Sequence, residues 1–388
     1  MILMPRLHIF LYIEVEMKKK IAVLGANYQY LSFYRQAAAL GYEIFAFGIA
    51  NDDHVSATKY ASRFYDISFR EPEKVLEVCR QEKVQGVTSF LIESALPFVY
   101  HVSRGLGVPC NSPECEALTA NKYTMREEMR RQQIRIPAYK AVRSVEEVGD
   151  MQCPMIVKPA DSGGSRGVTL VKKREDISAA IDRALEWSAN GLVMLEQYVE
   201  GREFSVESIS YQGQHYILQI TDKVTTEAPY FVELAHHQPA QLSDRQRREI
   251  AELTVQTLAA MKIEYGAGHT EIKMDAAGVP YVIETSPRMG GDFISSDLVR
   301  LSTGYDFVKG VLEVATGTFT VPQTHPIYHS GVYFLCHETE NRVLTYIQHP
   351  EKYPFIVDSD IWGDIQNVQC NSDRGGYFIY QAEKKIEI

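Results

Sequence analysis

The alternation of strand and helix patterns between Lys20 and Cys115 constrains the fold most. KIAVLGA reads as a strand, LSFYRQAAALG as a helix stopping at Gly41, and YEIFAFGI as a second strand. PEKVLEVCRQEK then reads as a helix and VQGVTSFL as a third strand. Strands separated by helices pair in parallel with the helices on the sheet faces, so a Rossmann-like parallel αβ lobe is expected here. Its first turn reads GANYQY, without the G-x-G-x-x-G that cradles a dinucleotide, and NAD is not favoured.

After Cys115 the pattern changes. A helix is expected over Asn121–Gln132, two strands around a glycine loop from Met151 to about Val171, and a helix over Asp176–Trp187. GLVMLEQYVEGREFSVESISY reads as two strands joined at Glu200-Gly201. Ser243–Met261 reads as a long helix, with Ser243 and Gln246 at capping-box spacing. GHTEIKMDAAGVPYVIETSPR reads as a hairpin turning at Ala277-Gly278, followed by helical patterns near Ser296–Ser302 and Tyr305–Ala315. From Thr320 the chain reads as mostly strand, including YFLCHETENRVLTYIQ and GGYFIYQA.

The 388 residues, 45% of them hydrophobic, suffice for several lobes. A net charge of −10 and the lack of any basic block argue against nucleic acid as a partner. No apolar run approaches the roughly 20 residues of a membrane span, so no membrane partner is expected. The 6 cysteines form no C-x-x-C and read as free thiols of a reducing compartment, the cytoplasm. MKKKIAVLGA from Met17 reads as an ordinary start, so residues 1–16 read as an appendage or a misassigned start rather than a secretion signal.

Three segments carry chemistry. In MIVKPADSGGSRGVTLV, Lys158 precedes the glycines, the reverse of a Walker loop, and a strand follows. A lysine on a strand can reach phosphates, and SGGSRG can close over them with backbone N–H groups; a flexible hairpin tip would look the same. In the hairpin, a two-residue loop makes facing residue numbers sum to a constant, which sets Glu271 opposite Glu284. Opposed carboxylates repel unless a hard cation such as Mg²⁺ sits between them, although two solvated glutamates on an exposed edge, or a different loop register, are also compatible with the pattern. ETSPRMGGD then places Arg288 and a glycine pair just past the strand end, where an anion could be held. In LEQYVEGREFSVE, the segment Glu196–Val199 can offer backbone groups to an adenine edge and Glu203 can accept from ribose hydroxyls.

The order of these segments resembles the ATP-grasp superfamily over roughly residues 20–320. The resemblance implies a two-lobed fold with antiparallel sheets behind the αβ lobe, and an α/β and α+β multidomain chain overall. It implies a pre-ATP-grasp domain at 17–115, a lid subdomain at 116–190, a large subdomain with the metal site at 191–319 and a β-rich subdomain at 320–388. Lys122 in TANKYTMREEM matches the first nucleotide lysine and Lys158 the second. Ser162, Gly163, Gly164, Ser165 and Gly167 match the mobile phosphate loop, Glu196, Gln197, Tyr198 and Val199 the adenine hinge, and Glu203 the ribose acid. Glu271 and Glu284 match the magnesium carboxylates, for one or two Mg²⁺ ions with Mn²⁺ able to substitute, and Arg288 the residue that stabilises phosphoryl and acyl-phosphate oxygens. The family pattern E-x-N-x-R here reads Glu284-Thr285-Ser286-Pro287-Arg288, and Ser286 in place of asparagine puts the second metal in doubt.

PRMGGDFISSDLVRLSTGYDFVKGVLEVATG is most similar to the amino-acid-ligase type of carboxylate–amine ligases, and YFVELAHHQPA to their substrate-side segment. That implies Glu233, His236, Arg288, Gly290 and Gly291 as substrate residues, Arg288 and Lys158 as catalytic, and no assigned general base. The neighbouring Tyr230 and His237 lie in the same segment, and His236-His237 reads equally as a surface pair. The implied reaction joins a carboxylate to an amine through an acyl phosphate at the expense of ATP. The alternatives are a carbamoyl-phosphate-synthetase-like or phosphoribosylglycinamide-type enzyme, or an impaired ATP-binding protein. The implied partners are small molecules, with a homodimer as the family's common assembly.

Overall fold

The structure is a computed structural model that describes residues 18–50, 55–163, 166–226, 228, 230–325 and 327–388. The segment 1–16 and the loop residues Gly164 and Ser165 lie outside the described residues. Four parallel strands form the first sheet: β1 (Lys20–Leu24), β2 (Glu43–Gly48), β3 (Arg63–Asp66) and β4 (Gly86–Thr88), in the order β3-β2-β1-β4. Helices Leu31–Ala39 and Pro72–Glu82 pack on it as the sequence pattern requires. Two elements here exceed the sequence reading. Edge strand β3 is four residues long and exposed at both ends, so no apolar run marks it. The helix Leu96–Leu106 starts on Leu96-Pro97 and stops at Gly107, which takes φ +70° as the left-handed cap.

The second sheet is antiparallel: β5 (Tyr139–Val142), β6 (Met155–Pro159), β7 (Thr169–Val171) and β8 (Val193–Gln197), in the order β5-β8-β6-β7. Helix Ile177–Leu185 buries Ile177, Ala180, Ile181 and Ala184 in its core with Val157, Val171 and Leu195. Because β8 is an inner strand, the lid extends through Gln197, and the expected boundary at 190 cuts through its sheet. The helix Lys122–Arg131, expected within the lid, instead places Met125 and Met129 in the core of the large subdomain with Phe204, Ile250 and Leu258.

The third sheet has eight antiparallel strands: β9 (Gly201–Tyr211), β10 (Gln214–Thr225), β11 (Glu233–Gln238), β12 (Gly266–Asp275), β13 (Pro280–Ser286), β14 (His329–Leu335), β15 (Ile356–Ile361) and β16 (Gly376–Ala382). Their order is β13-β12-β9-β10-β11-β14-β16-β15, so the C-terminal strands extend this sheet through β11 rather than forming a sheet of their own. Residues Glu340–Gln348, expected as strand, are a helix with Val343 and Ile347 buried. Those two are four apart, the helical spacing that the surrounding aromatic and β-branched residues obscure. The long helix Asp244–Ala260 carries the expected reciprocal cap between Ser243 and Gln246. No helix among the described residues is long and apolar enough to cross a membrane.

The β12–β13 hairpin sets the opposed carboxylates, by a different route from the one expected. Its turn holds three residues, with Asp275 and Val279 bonded across it and Gly278 at φ +81°. Near the turn Met274 faces Pro280 and Ile272 faces Val282, one residue off the expected register. A bulge at Ile283 then restores it, so Glu271 faces Glu284 and Thr270 faces Thr285. Arg126 Nη2 donates to the Ile283 carbonyl at 2.5 Å, satisfying the backbone group that the bulge takes out of the ladder.

Candidate active site

A cleft of about 880 Å³ opens where the three sheets meet. The lid contributes Lys158, Ser162, Gly163, Gly167, Glu196, Gln197, Tyr198 and Val199. The central sheet contributes Glu203, Lys223, Glu233, His236, His269, Glu271, Glu284, Ser286 and Arg288, and Lys122 enters from the first turn of its helix. A second cavity, of about 60 Å³ and mostly apolar, lies behind Arg288 against Tyr100 and Val311 and is too small for a nucleotide.

Lys122 starts its helix beside the N-cap Asn121, whose side chain accepts from Tyr123 N at 2.8 Å, and its own N–H bonds the Ala160 carbonyl at the end of β6. Its ammonium donates to Glu284 Oε1 at 2.8 Å and to the Ser162 carbonyl at 3.0 Å. Burial opposes its charge, but Glu284 outweighs that and raises its pKa.

Lys158 on β6 and Glu196 on β8 are diagonal neighbours on one face of the lid sheet, and Lys158 Nζ donates to Glu196 Oε2 at 2.8 Å. Arg126 Nε donates to Glu196 Oε1 at 2.9 Å. The Glu196 side chain, in the segment whose backbone groups are expected at an adenine edge, is therefore a 3% exposed counter-ion to two cations. Burial alone would raise its carboxyl, yet Arg126 and Lys158 bring it down to about 2. Burial lowers the pKa of Lys158, and Arg126 adds to that. The N–H groups of Gln197 and Tyr198 are already spent on the carbonyls of Ala138 and Pro154.

Lys223 on β10 is the cation at the centre of the cleft and has no counterpart in the sequence reading. Its side chain is 5% exposed and lies 2.8 Å from Glu203, 3.2 Å from Glu271 and 3.4 Å from Glu233. Lys223 holds Glu271 well below the ordinary carboxylate range. Glu93, from the loop after β4, was also missed. Burial and then the neighbouring Glu284 raise its carboxyl. On the far wall Asp292 accepts from Arg374 at 2.7 and 2.8 Å and lies 3.6 Å from His236. His236 and His237 are both buried, which corrects the surface-pair reading. His237 turns away from the cleft to Tyr380 Oη at 2.9 Å, and burial depresses it to about 3.

Beneath the carboxylates, Glu207 bonds His269 Nδ1 at 2.5 Å, Gly290 N at 3.2 Å and Ser295 Oγ. Gly290 is thus a buried member of this network and does not line the cleft, whereas Gly291 does. A Cβ at Gly290 would stand 2.6 Å from His269 Nδ1, so only glycine fits. Burial disfavours the His269 imidazolium, but Glu207 raises its pKa to about 9.

The surroundings of Glu271 and Glu284 suit a hard divalent cation. Two carboxylates face each other, a third crowds them from Glu93, and the buried Ser286 Oγ beside them has no hydrogen-bond partner. Among the described residues no three His, Cys, Asp or Glu side chains are already drawn around one point; a lysine is bonded to each of the two glutamates instead. All six cysteines are free.

Residues 151–297 match the model of the ATP-grasp domain. Carnosine synthase 1 of Mus musculus is 25% identical over 345 residues, 79% of this chain and 41% of that protein. D-alanine–D-alanine ligase of Trichlorobacter lovleyi is 29% identical over 167 residues, 42% of this chain and 52% of that protein. The chain thus spans about half the length of these curated relatives or less. The crystal structure of L-amino acid ligase from Bacillus licheniformis superposes with a TM-score of 0.80 at 22% identity, covering 95% of this chain and 94% of that one. Residues 151–297 thus match an ATP-grasp domain, within a chain that shares the fold of that crystal structure.

Proposed function

We propose that the protein is an ATP- and Mg²⁺-dependent ligase that joins a carboxylate to an amine, with an amino acid among its substrates. The observation that carries this reading is the convergence of Lys122, Lys158, Glu271, Glu284 and Arg288 on one cleft. The kinds of relative found, a carnosine synthase and amino-acid ligases, support the substrate class.

A substrate carboxylate oxygen bonds to the γ-phosphorus of ATP as the bond to the bridging oxygen breaks, giving an acyl phosphate and ADP. The amine nitrogen then bonds to the acyl carbon, phosphate leaves with the electron pair, and the nitrogen loses a proton. Lys122 and Lys158 hold the ATP phosphates, and Arg288 holds the oxygens of the acyl phosphate. Glu203 receives the ribose, and the adenine edge meets backbone groups of the 196–199 segment other than the N–H groups already spent. Glu271 and Glu284 hold Mg²⁺, which supplies charge neutralisation on the phosphates. The loop around Ser162, Gly163 and Gly167 excludes water from the reactive intermediate, and Gly167 at φ +71° forms its return turn against Trp187. Glu233, His236 and Gly291 line the side of the cleft left for the amino acid.

The test is ADP release from ATP and Mg²⁺ with single and paired amino acids, comparing wild type with Glu284→Ala. Release that requires both a carboxylate and an amine, and disappears in the variant, is expected. Release driven by bicarbonate or a phosphoribosylamine instead would replace this reading with another ATP-grasp chemistry. ATP binding without turnover on any of these would leave a nucleotide binder.

A further inference from the structure

The β12–β13 register places His269 directly opposite Ser286, across from the position where a serine stands in place of an asparagine. Ser286 is 2% exposed, and its Oγ has no hydrogen-bond partner among the described residues. His269 lines the same cleft and is 7% exposed. Its Nδ1 is bonded to Glu207 at 2.5 Å, and Nε2 lies 3.8 Å from Glu271 Oε1. That separation is too long for a strong hydrogen bond. It is within reach for two ligands of one ion, since donors about 2.1 Å from a cation can lie up to about 4.2 Å apart. An imidazole whose far nitrogen is fixed by a buried carboxylate is the usual way a protein presents a histidine to a metal.

We propose that His269 Nε2, on releasing its proton, is a third protein ligand to the divalent cation held by Glu271 and Glu284, aimed by its bond to Glu207, and that it replaces the donor lost at Ser286. This rests on the proposed function only in taking Glu271 and Glu284 as cation carboxylates. The backing is rigid: Glu207 is fully buried, fixed by Ser295 and Gly290 as well as by His269, and Gly290 leaves the space its ring requires. An imidazole in the donor set also shifts preference from Mg²⁺ toward Mn²⁺ and later metals.

Pulsed electron paramagnetic resonance of wild-type protein with Mn²⁺ and ADP tests this without a variant. A directly bound ¹⁴N coupling is expected, lost in His269→Gln. Mn²⁺ affinity, followed by the signal of free ion, should fall about tenfold or more in His269→Gln and in Glu207→Gln, with Mg²⁺ affinity falling less. Mn²⁺ that depends on Glu271 and Glu284 but shows no ¹⁴N coupling would overturn the role of His269 alone. Mn²⁺ bound undiminished in Glu271→Gln and Glu284→Gln would instead remove the carboxylate site on which both readings rest.

Discussion

Lys122 Nζ lies 2.8 Å from Glu284 Oε1, so the lysine proposed for phosphate and the glutamate proposed for the cation are each other's partners in the free protein. Binding must exchange that pair for two others, ammonium with phosphate and carboxylate with cation. Nucleotide and divalent cation should therefore bind with positive coupling. In Lys122→Gln, calorimetry should show weaker ADP binding and, without nucleotide, tighter Mn²⁺ binding. A hydrogen bond to a charged group is worth about 1.5–3 kcal/mol, so losing this one should give a change of roughly tenfold or more. Unchanged Mn²⁺ affinity would show that the pair does not restrain the carboxylate.

Lys223 is shared by three carboxylates. Lys223→Met would leave Glu203, Glu233 and Glu271 facing one another. Removing one member of a fully buried pair costs about 3–5 kcal/mol, and these glutamates are partly exposed, so about 2–3 kcal/mol is expected. Divalent cations should then stabilise the variant more than wild type, because they relieve the same repulsion. Thermal melting with and without Mg²⁺ checks both halves; a variant as stable as wild type would mean that the carboxylates find other partners.

Among the described residues Arg288 makes one hydrogen bond, from Nη1 to its neighbour's carbonyl at 2.9 Å, and its buried Nε has no partner. Its guanidinium therefore contributes little to folding that a substrate anion would not improve. Arg288→Ala should lower turnover by about 10²–10³-fold, with melting temperature and ATP affinity nearly unchanged. A loss confined to ATP affinity would move Arg288 from the acyl phosphate to the nucleotide.

Much of this site was legible because its residues occur in local patterns. Lys158 before the glycine loop and the two glutamates of one hairpin need only short-range counting. The Glu271–Glu284 pairing survived a wrong turn, because a three-residue loop and a bulge at Ile283 each shift the register by one and cancel. The same count places His269 opposite Ser286, so that signal was present and unread. Lys223 was also within reach: the turn at Gln212-Gly213, with φ of 52° and 74°, pairs Tyr211 with Gln214 and, after one bulge, Glu203 with Lys223. Glu93, Arg126 and Arg374 were not within reach. Each comes to the site from an element distant in sequence, and only the packing of lobes brings it there.

Glu196 has a structural role in its side chain that is separate from the hinge role proposed for the backbone of its segment. Its backbone lies where a hinge is expected, but alternation along β8 turns its side chain inward onto Lys158 and Arg126. Glu196→Gln would leave two buried cations short of a counter-ion and should cost about 3–5 kcal/mol. Its folded pKa of about 2 lies below the ordinary value, so the stabilisation is full above about pH 4.5 and is lost as pH falls toward 2. Denaturant melts at pH 7 and pH 3 should show the gap between wild type and variant narrowing in acid. A gap independent of pH would mean that packing, not charge, sets the cost.

His237 offers a pH response of the opposite kind, remote from the nucleotide. Its ring is 2% exposed, bonded through Nδ1 to Tyr380 Oη and packed edge-on against Tyr333. Burial, with Lys385 and His236 adding smaller contributions, depresses its pKa to about 3. The folded protein thus keeps His237 neutral while the unfolded chain takes up a proton near its ordinary value of about 6.5. Stability is unaffected by this group above that pH. It falls below it, by up to about 1.4 kcal/mol per pH unit, until the folded form protonates near 3. His237→Gln removes this term. Between pH 6.5 and 5 the variant should lose about one proton's worth less stability per unit than wild type, even if it starts less stable at pH 8 from imperfect packing against Tyr333. Chemical denaturation at four or five pH values gives the two slopes, and parallel slopes would show that His237 is protonated in the folded protein.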